Sequence, residues 1–190
     1  FNDPIKDVSH QDLIDLIVIM IFGSVDTTRS QLGFLMALFA RYPDQWMDLR
    51  RDLTLVPNAV EEAIRAWPAT TWATRETTEA FECDGVLFPK GITLHLLVHS
   101  SAKDPVLGQV AEFDIHASQK PHHGFGGGAH HCLGHFVART DMAVALRHLA
   151  KALIAFERNG RAVYLPDSGN TSPKFLHLKY DFAANFESIV

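Results

Sequence analysis

The sequence predicts a mainly α-helical fold with small β-hairpins, and three observations carry that prediction. An apolar pattern with helical spacing runs from about His10 to Arg41. A second follows Cys132, where Leu133, Phe136 and Val137 share one face and Met142, Ala145, Leu146 and Leu149 extend it. Between them, short strand-like runs from Phe81 to Val98 are broken by the turn signal Pro89-Lys90-Gly91.

Composition narrows the function classes. The chain has 190 residues, 47% of them hydrophobic, enough for one region with a real core. Net charge is −5 with no long basic run, which points away from nucleic acid and anionic membrane surfaces. Two cysteines, Cys83 and Cys132, suit a reducing compartment and argue against a disulfide scaffold. The longest early apolar run, Leu16 to Phe22, is far short of the ~20 residues of a membrane span. No charged-then-apolar segment of the kind expected of a signal peptide is read in its opening residues. The expectation is a soluble, cytoplasmic protein forming a single region over residues 1–190, without internal boundary, repeat or low-complexity stretch. Because the chain opens on Phe1 rather than Met, it is expected to continue upstream.

Ser9, with Asp12 three residues on, marks a helix start as a weaker form of the capping box, and Tyr42-Pro43 stops that helix. Its middle is unusual: Gly23, Ser24, Asp26, Thr27 and Thr28 interrupt an apolar stretch with poor helix formers and hydroxyls. They are expected to be partly buried, and a buried acid beside a hydroxyl is costly unless bonded or used; the plain alternative is a surface stripe or local kink. Short helices are predicted over 43–51 and, after Pro57, over 58–67. Glu62 and Arg65 lie three apart in the second, so they share a face and can pair. Pro68 ends it, and Ala69 to Ala73 with Arg75 should run extended. The helix after Cys132 is expected to reach about Phe156. Pro166 to Pro173 reads as a loop, and Phe175 to Tyr180 alternates as a strand.

The stretch Phe125-Gly126-Gly127-Gly128-Ala129-His130-His131-Cys132-Leu133-Gly134 concentrates the chemistry. Cys132 should sit at the mouth of a helix, where backbone N–H groups and the positive helix end favour a thiolate. The glycines allow unusual backbone angles and close approach to a flat partner. A thiolate so held is a metal ligand or a nucleophile. The bland reading is a Gly-rich turn with a buried cysteine. Zinc is another, since His122, His123, His130, His131 and His135 crowd the cysteine, although zinc sites usually show paired ligands at short regular spacings.

The spacing Phe-x-x-Gly-x-x-x-Cys-x-Gly, formed by Phe125, Gly128, Cys132 and Gly134, resembles the haem-binding loop of the cytochrome P-450 family of haem-thiolate monooxygenases. The acid-threonine helix, the Glu-x-x-Arg pair and Arg75 precede it in the family's order, so the resemblance covers nearly the whole chain. It implies the C-terminal portion of that fold. Cys132 would be the axial ligand of haem b (iron protoporphyrin IX), within a cofactor loop that includes Phe125, Gly126, His130 and Gly134. His130 and Arg75 would reach the haem propionates. Asp26 and Thr27 would relay protons, with Gly23 and Ser24 lining the distal groove; Ser24 stands where the family most often has a second glycine. Ala69, Thr70, Thr71 and Trp72 would face the substrate pocket. Glu62 and Arg65 would be structural.

By the same resemblance, Val86 to Val98 would form a small hairpin about Pro89-Lys90-Gly91, and Ser101 to Pro105 and Phe113 to His116 would be the segments leading to the haem loop. Ala117 departs from the pattern: the family usually has an arginine there that completes a network with the Glu-x-x-Arg pair, and Lys120 is the nearby candidate to replace it. His122 matches a histidine of bacterial members, whereas His131 and His135 carry no assigned role. A hairpin near Asn170 to Pro173 would close the pocket from the far side. Family members are much longer, so the chain is expected to be a C-terminal half, leaving one haem face and a long helix to be covered by an upstream segment or another chain.

The implied activity is insertion of one oxygen atom from O2 into an apolar small molecule. No Gly-x-Gly-x-x-Gly follows a strand, so electrons are expected from a ferredoxin or flavodoxin with its reductase. The alternatives are a peroxide-driven peroxygenase on the same haem, or a haem-binding sensor or carrier without catalysis.

Overall fold

Ser9 begins the first helix as the sequence predicts. Its hydroxyl accepts the Asp12 N–H at 3.1 Å, and the Asp12 carboxylate accepts the Ser9 N–H at 2.9 Å, so two donors that no helical carbonyl could reach are satisfied. The computed structural model describes residues 8–109, 111–118 and 120–184. Within them α1 (His10–Arg41) is followed by α2 (Pro43–Arg51) and α3 (Val56–Ala66). The third helix starts two residues before the predicted Asn58, with Pro57 inside its first turn, where a missing N–H costs nothing.

Next come β1 (Trp72–Glu76), β2 (Phe81–Cys83), β3 (Val86–Phe88), β4 (Thr93–Leu97) and the short α4 (Val98–Ser101). An irregular stretch leads to α5 (His135–Ala152), and β5 (Leu153–Arg158), β6 (Val163–Tyr164), β7 (Pro173–Phe175) and β8 (Leu178–Phe182) follow. The strands form four two-stranded antiparallel ladders, β1–β4, β2–β3, β5–β8 and β6–β7. The fold is mainly α with small sheets, as expected. No helix among the described residues is long and apolar enough to cross a membrane.

Three local expectations are corrected. The hairpin does not turn at Pro89-Lys90-Gly91. It turns at Asp84-Gly85, both in the left-handed region (φ 49° and 76°), which gives the twist a two-residue hairpin loop needs. The Pro89 to Gly91 segment instead caps the β1–β4 ladder: Thr77 Oγ1 donates to the Pro89 carbonyl at 2.6 Å, and the Gly91 N–H donates to the Thr77 carbonyl at 2.8 Å. Secondly, α5 stops at Ala152 rather than Phe156, because β8 claims the backbone of 153–158 across a ladder from Leu153↔Phe182 to Arg158↔Leu178. Thirdly, the strand predicted over 175–180 is split, its start pairing with β6 and its end with β5.

The core lies between the C-terminal part of α1, α2, α3 and α5, with Leu35, Phe39, Trp46, Leu49, Val60, Met142 and Leu146 buried. Phe39 meets Trp46 and Phe113 edge-on at 5.3 and 5.6 Å, and Trp46 meets Phe156 at 4.8 Å. Buried α1 residues occur only between Ser30 and Phe39; Leu13 to Phe22 lie exposed, with Phe22 at 75%.

Side chains rather than ladders hold the stretch before α5. Arg65, 1% exposed, grips both Glu62 oxygens at 2.7 Å and donates to the Ala102 and Glu112 carbonyls at 2.7 Å. Glu62 accepts the Asp114 N–H at 3.0 Å. Gln45 bonds the Phe113 carbonyl and the Ile115 N–H, and Asn58 bonds the Ile115 and Ala117 carbonyls. Lys120 does not stand in for the arginine the family has at Ala117: its ammonium donates to the Gly108 carbonyl. Main-chain carbonyls and Asn58 fill out the network instead.

Removing Arg65 would leave Glu62 buried without its counter-charge. Arg65→Met in the whole protein is expected to lower unfolding free energy by about 3–5 kcal/mol, read as a shift of the urea midpoint at unchanged slope.

Candidate functional site

Cys132 is a free, exposed cysteine. Its N–H donates to the Phe125 carbonyl at 2.9 Å and its carbonyl accepts the His135 N–H at 3.4 Å, which ties the loop to the first turn of α5. Gly134 caps that helix, so Cys132 stands at its mouth as expected. Gly126 and Gly128 have φ of 71° and 60°, where a side chain would be strained. Leu133, Phe136 and Val137, read from the sequence as one helical face, form an exposed apolar surface beside the cysteine, at 86%, 74% and 64%. His130 is exposed in the short turn Gly128–His130.

The loop rests on α3. A Cβ on Gly124 would come within 2.3 Å of Ile64 Cγ2, so the backbone packs directly on that helix. Phe125 lies against the core, with the Arg139 guanidinium 4.3 Å above its ring. Arg139 bonds both oxygens of Glu61 and donates to His135 Nδ1 at 2.6 Å. On the other side Glu61 meets His122 Nε2 at 3.1 Å. His122 Nδ1 accepts the Gly124 N–H at 3.2 Å, so Nε2 carries the proton and donates to Glu61.

Burial works against the charge of Glu61, but the bonds from His122 and Arg139 outweigh it and hold its carboxyl down from 4.5 to about 2. Burial, with the charges of His131 and Arg139, pushes His135 below its ordinary value. Nothing local in the sequence marks the Glu61–Arg139 pair, whose members stand far apart in the chain. The one available signal was an arginine one turn past His135 on the helix that follows the cysteine loop.

Along α1, Gly23, Thr27 and Gln31 follow at intervals of four and so form one row. Gln31 reaches the 69–72 segment: its amide donates to the Ala63 and Trp67 carbonyls and accepts the Ala69 N–H at 2.9 Å. Thr27 Oγ1 donates to the Gly23 carbonyl at 2.6 Å, and Ser24 to that of Ile21 at 3.2 Å. Asp26 and Thr27 are half-buried, while Gly23 and Ser24 are exposed, so the polar interruption is only partly covered. Asp26 spends its charge locally, on Arg29 at 2.7 Å. The helix runs unbroken through this stretch as one element of 32 residues.

The 69–72 segment is laced to the loop over 167–171. The Thr171 N–H donates to the Ala69 carbonyl and the Thr71 N–H to that of Gly169, both at 2.9 Å. Thr71 Oγ1 donates to Asp167 at 2.5 Å, and Thr70 Oγ1 donates to Asn170 Oδ1 at 2.8 Å. Gly169, at φ 96°, packs on the Trp72 ring, which also meets His95 at 4.5 Å. Ala69 and Thr71 are thus buried, and Thr70 and Trp72 are the members left partly open. Arg75 is half-buried on β1 and donates to the Thr74 carbonyl at 2.7 Å. Among the described residues, no group of three or more His, Cys, Asp or Glu could hold a metal ion, so the histidines around Cys132 do not make the zinc site considered above.

The model of the family described as cytochrome P-450 matches residues 44–157, more than half the chain. The chain belongs to the cytochrome P-450 family. It is 34% identical over 187 residues to luteothin monooxygenase of Streptomyces thioluteus, covering 96% of this chain and 45% of the relative. With the 20-oxo-5-O-mycaminosyltylactone 23-monooxygenase of Streptomyces fradiae it shares 32% over 149 residues, 78% of this chain and 36% of that one. A solved cytochrome P-450 of Chondromyces apiculatus superimposes with a TM-score of 0.87 at 26% identity, over 93% of this chain and 46% of the other. The fold is therefore the C-terminal portion of the cytochrome P-450 fold, and this chain spans less than half the length of those relatives.

Two outcomes are expected of this geometry. Gly124→Ala drives a methyl into Ile64 and is expected to cost about 1–3 kcal/mol of stability, measured by urea unfolding. Because the folded carboxyl of Glu61 titrates below its unfolded value, its contribution is complete above about pH 4.5 and lost as pH falls toward about 2. Glu61→Gln should flatten the acid limb of the stability–pH curve over that window.

Proposed function

We propose that the protein is a haem-thiolate monooxygenase that inserts one atom of O2 into an apolar small molecule, drawing electrons from a ferredoxin or flavodoxin and its reductase. Its reducing setting would be the cytoplasm, to which two free cysteines are suited. The observation that carries the reading is Cys132: an exposed thiol at the mouth of α5, presented by glycines beside an exposed apolar face. A flat apolar cofactor fits there. A Cβ at Gly128 or Gly134 would meet no atom within 4 Å, and the same is true of Gly23 on α1, so the loop and the helix both leave room. The two Streptomyces relatives, both named as monooxygenases, support the same activity.

Haem b, when bound, would supply the redox chemistry that activates dioxygen, and a thiolate ligand would favour O–O cleavage. Cys132 would donate that thiolate, with the Phe125 carbonyl fixing its backbone. Phe125, Gly126, His130 and Gly134 would complete the cofactor loop, with Arg75 pairing a propionate and His130 contacting one. Thr27 spends its proton on the Gly23 carbonyl, which leaves its oxygen lone pairs to accept a bond from water on the distal side. Asp26 would pass protons onward after releasing Arg29, an exposed pair whose exchange costs little. Gly23, Ser24, Thr70 and Trp72 would border the substrate, with Ala69 and Thr71 holding the pocket wall to the 167–171 loop. Glu62 and Arg65 support the fold.

The test is the carbon monoxide spectrum of the reduced whole protein. Cys132→Ser is expected to abolish the thiolate-haem band and Cys83→Ser to leave it; a band that survives Cys132→Ser sinks the proposal. Thr27→Ala is expected to lower product formed per electron pair several-fold and raise released peroxide. Efficient peroxide-driven turnover with no gain from a ferredoxin system would instead favour a peroxygenase.

A further inference from the structure

Glu61 follows a different course from its neighbour Glu62. Glu62 turns into the core to meet Arg65, whereas Glu61 reaches the cysteine loop. Its two partners flank Cys132 in the chain: His122 precedes the loop and Arg139 follows it on α5. His122 holds the Gly124 N–H, next to Phe125. Arg139 covers the Phe125 ring, and the Phe125 carbonyl holds the Cys132 N–H. One carboxylate, 18% exposed, thus connects both flanks of the loop and faces an arginine that lies within electrostatic reach of Cys132.

We propose that Glu61 is a positioning residue for the Cys132 thiolate, neutralising Arg139 behind the loop and thereby setting how electron-rich the sulfur is. This rests on the reading of Cys132 as the axial ligand. Charges in a partly buried cluster are screened less than surface charges, so their effect extends to the sulfur. An arginine relieved of Glu61 would favour the more negative, reduced iron–thiolate pair. A Glu61 relieved of Arg139 would disfavour it. A purely mechanical clamp predicts no such opposition of sign, since losing either partner loosens the same contact.

The experiment uses the whole haem-loaded protein and reads the ferric–ferrous midpoint potential together with the carbon monoxide spectrum of the reduced form. Wild type comes first: without a thiolate band there, the assignment of Cys132 fails, separately from this inference. With the band present, Glu61→Gln is expected to raise the potential, Arg139→Gln to lower it, and the double variant to return close to wild type. Shifts of the same sign, or none, overturn the proposal. Where either single variant fails to hold haem, the double variant decides. Recovery of the thiolate band with a potential near wild type supports charge balance, and continued loss shows a packing role alone and overturns it.

Discussion

A guanidinium sealed from water must find all its hydrogen-bond partners in place, and Arg65 has that demand at the centre of this structure. Taking it out of solvent without Glu62 and the surrounding carbonyls would cost several kcal/mol. Meeting the demand fixes three separate pieces of chain: α3, which carries the pair, Ala102 at the end of α4, and the backbone from Glu112 to Asp114. The last of these is irregular. With no ladder to satisfy its polar groups, it borrows partners from the Gln45 and Glu62 side chains, and the backbone just after it, at Ile115 and Ala117, borrows Asn58. The path into the cysteine loop is therefore set from α2 and α3.

The same solution recurs at Gln31. One buried amide closes the end of α3 onto the start of the 69–72 segment, and that segment is stitched in turn to the 167–171 loop. Each joint is a polar side chain satisfying main chain where two elements diverge. Such joints are directional, so they specify a spacing as well as holding it. Apolar packing of Phe39, Trp46 and Phe113 supplies the bulk of cohesion around them, without choosing which carbonyl meets which amide.

Much of this was legible in the sequence because it is local. The ends of α1 follow from Ser9 and Tyr42-Pro43, and the placing of Cys132 before α5 follows from a glycine loop meeting an apolar period. Glu62 and Arg65 could be paired from spacing alone, and the fold class from the order of elements. What escaped was tertiary. The extent of α5 depended on β8 claiming the backbone after Ala152, and the β4 partner depended on β1. The Asp84-Gly85 turn was a local signal, overshadowed by the stronger-looking Pro89-Lys90-Gly91. At the site, the residue order could show Cys132, Asp26 and Thr27 but neither Glu61 bridging two distant segments nor Asp26 occupied by Arg29.

The long first helix has one further consequence. Its C-terminal turns are locked into the core, whereas the turns from Leu13 to Phe22 share no such support. On these contacts alone, a helix so divided would have a local stability that falls from its packed turns toward its exposed ones. Gly23 to Thr27 sit on that gradient. Whatever seats on the apolar turns, a folded neighbour or a hydrophobic guest, therefore adds order to the helix at the same time as it is held. Occupancy and stiffness at this position are linked quantities, each measurable through the other.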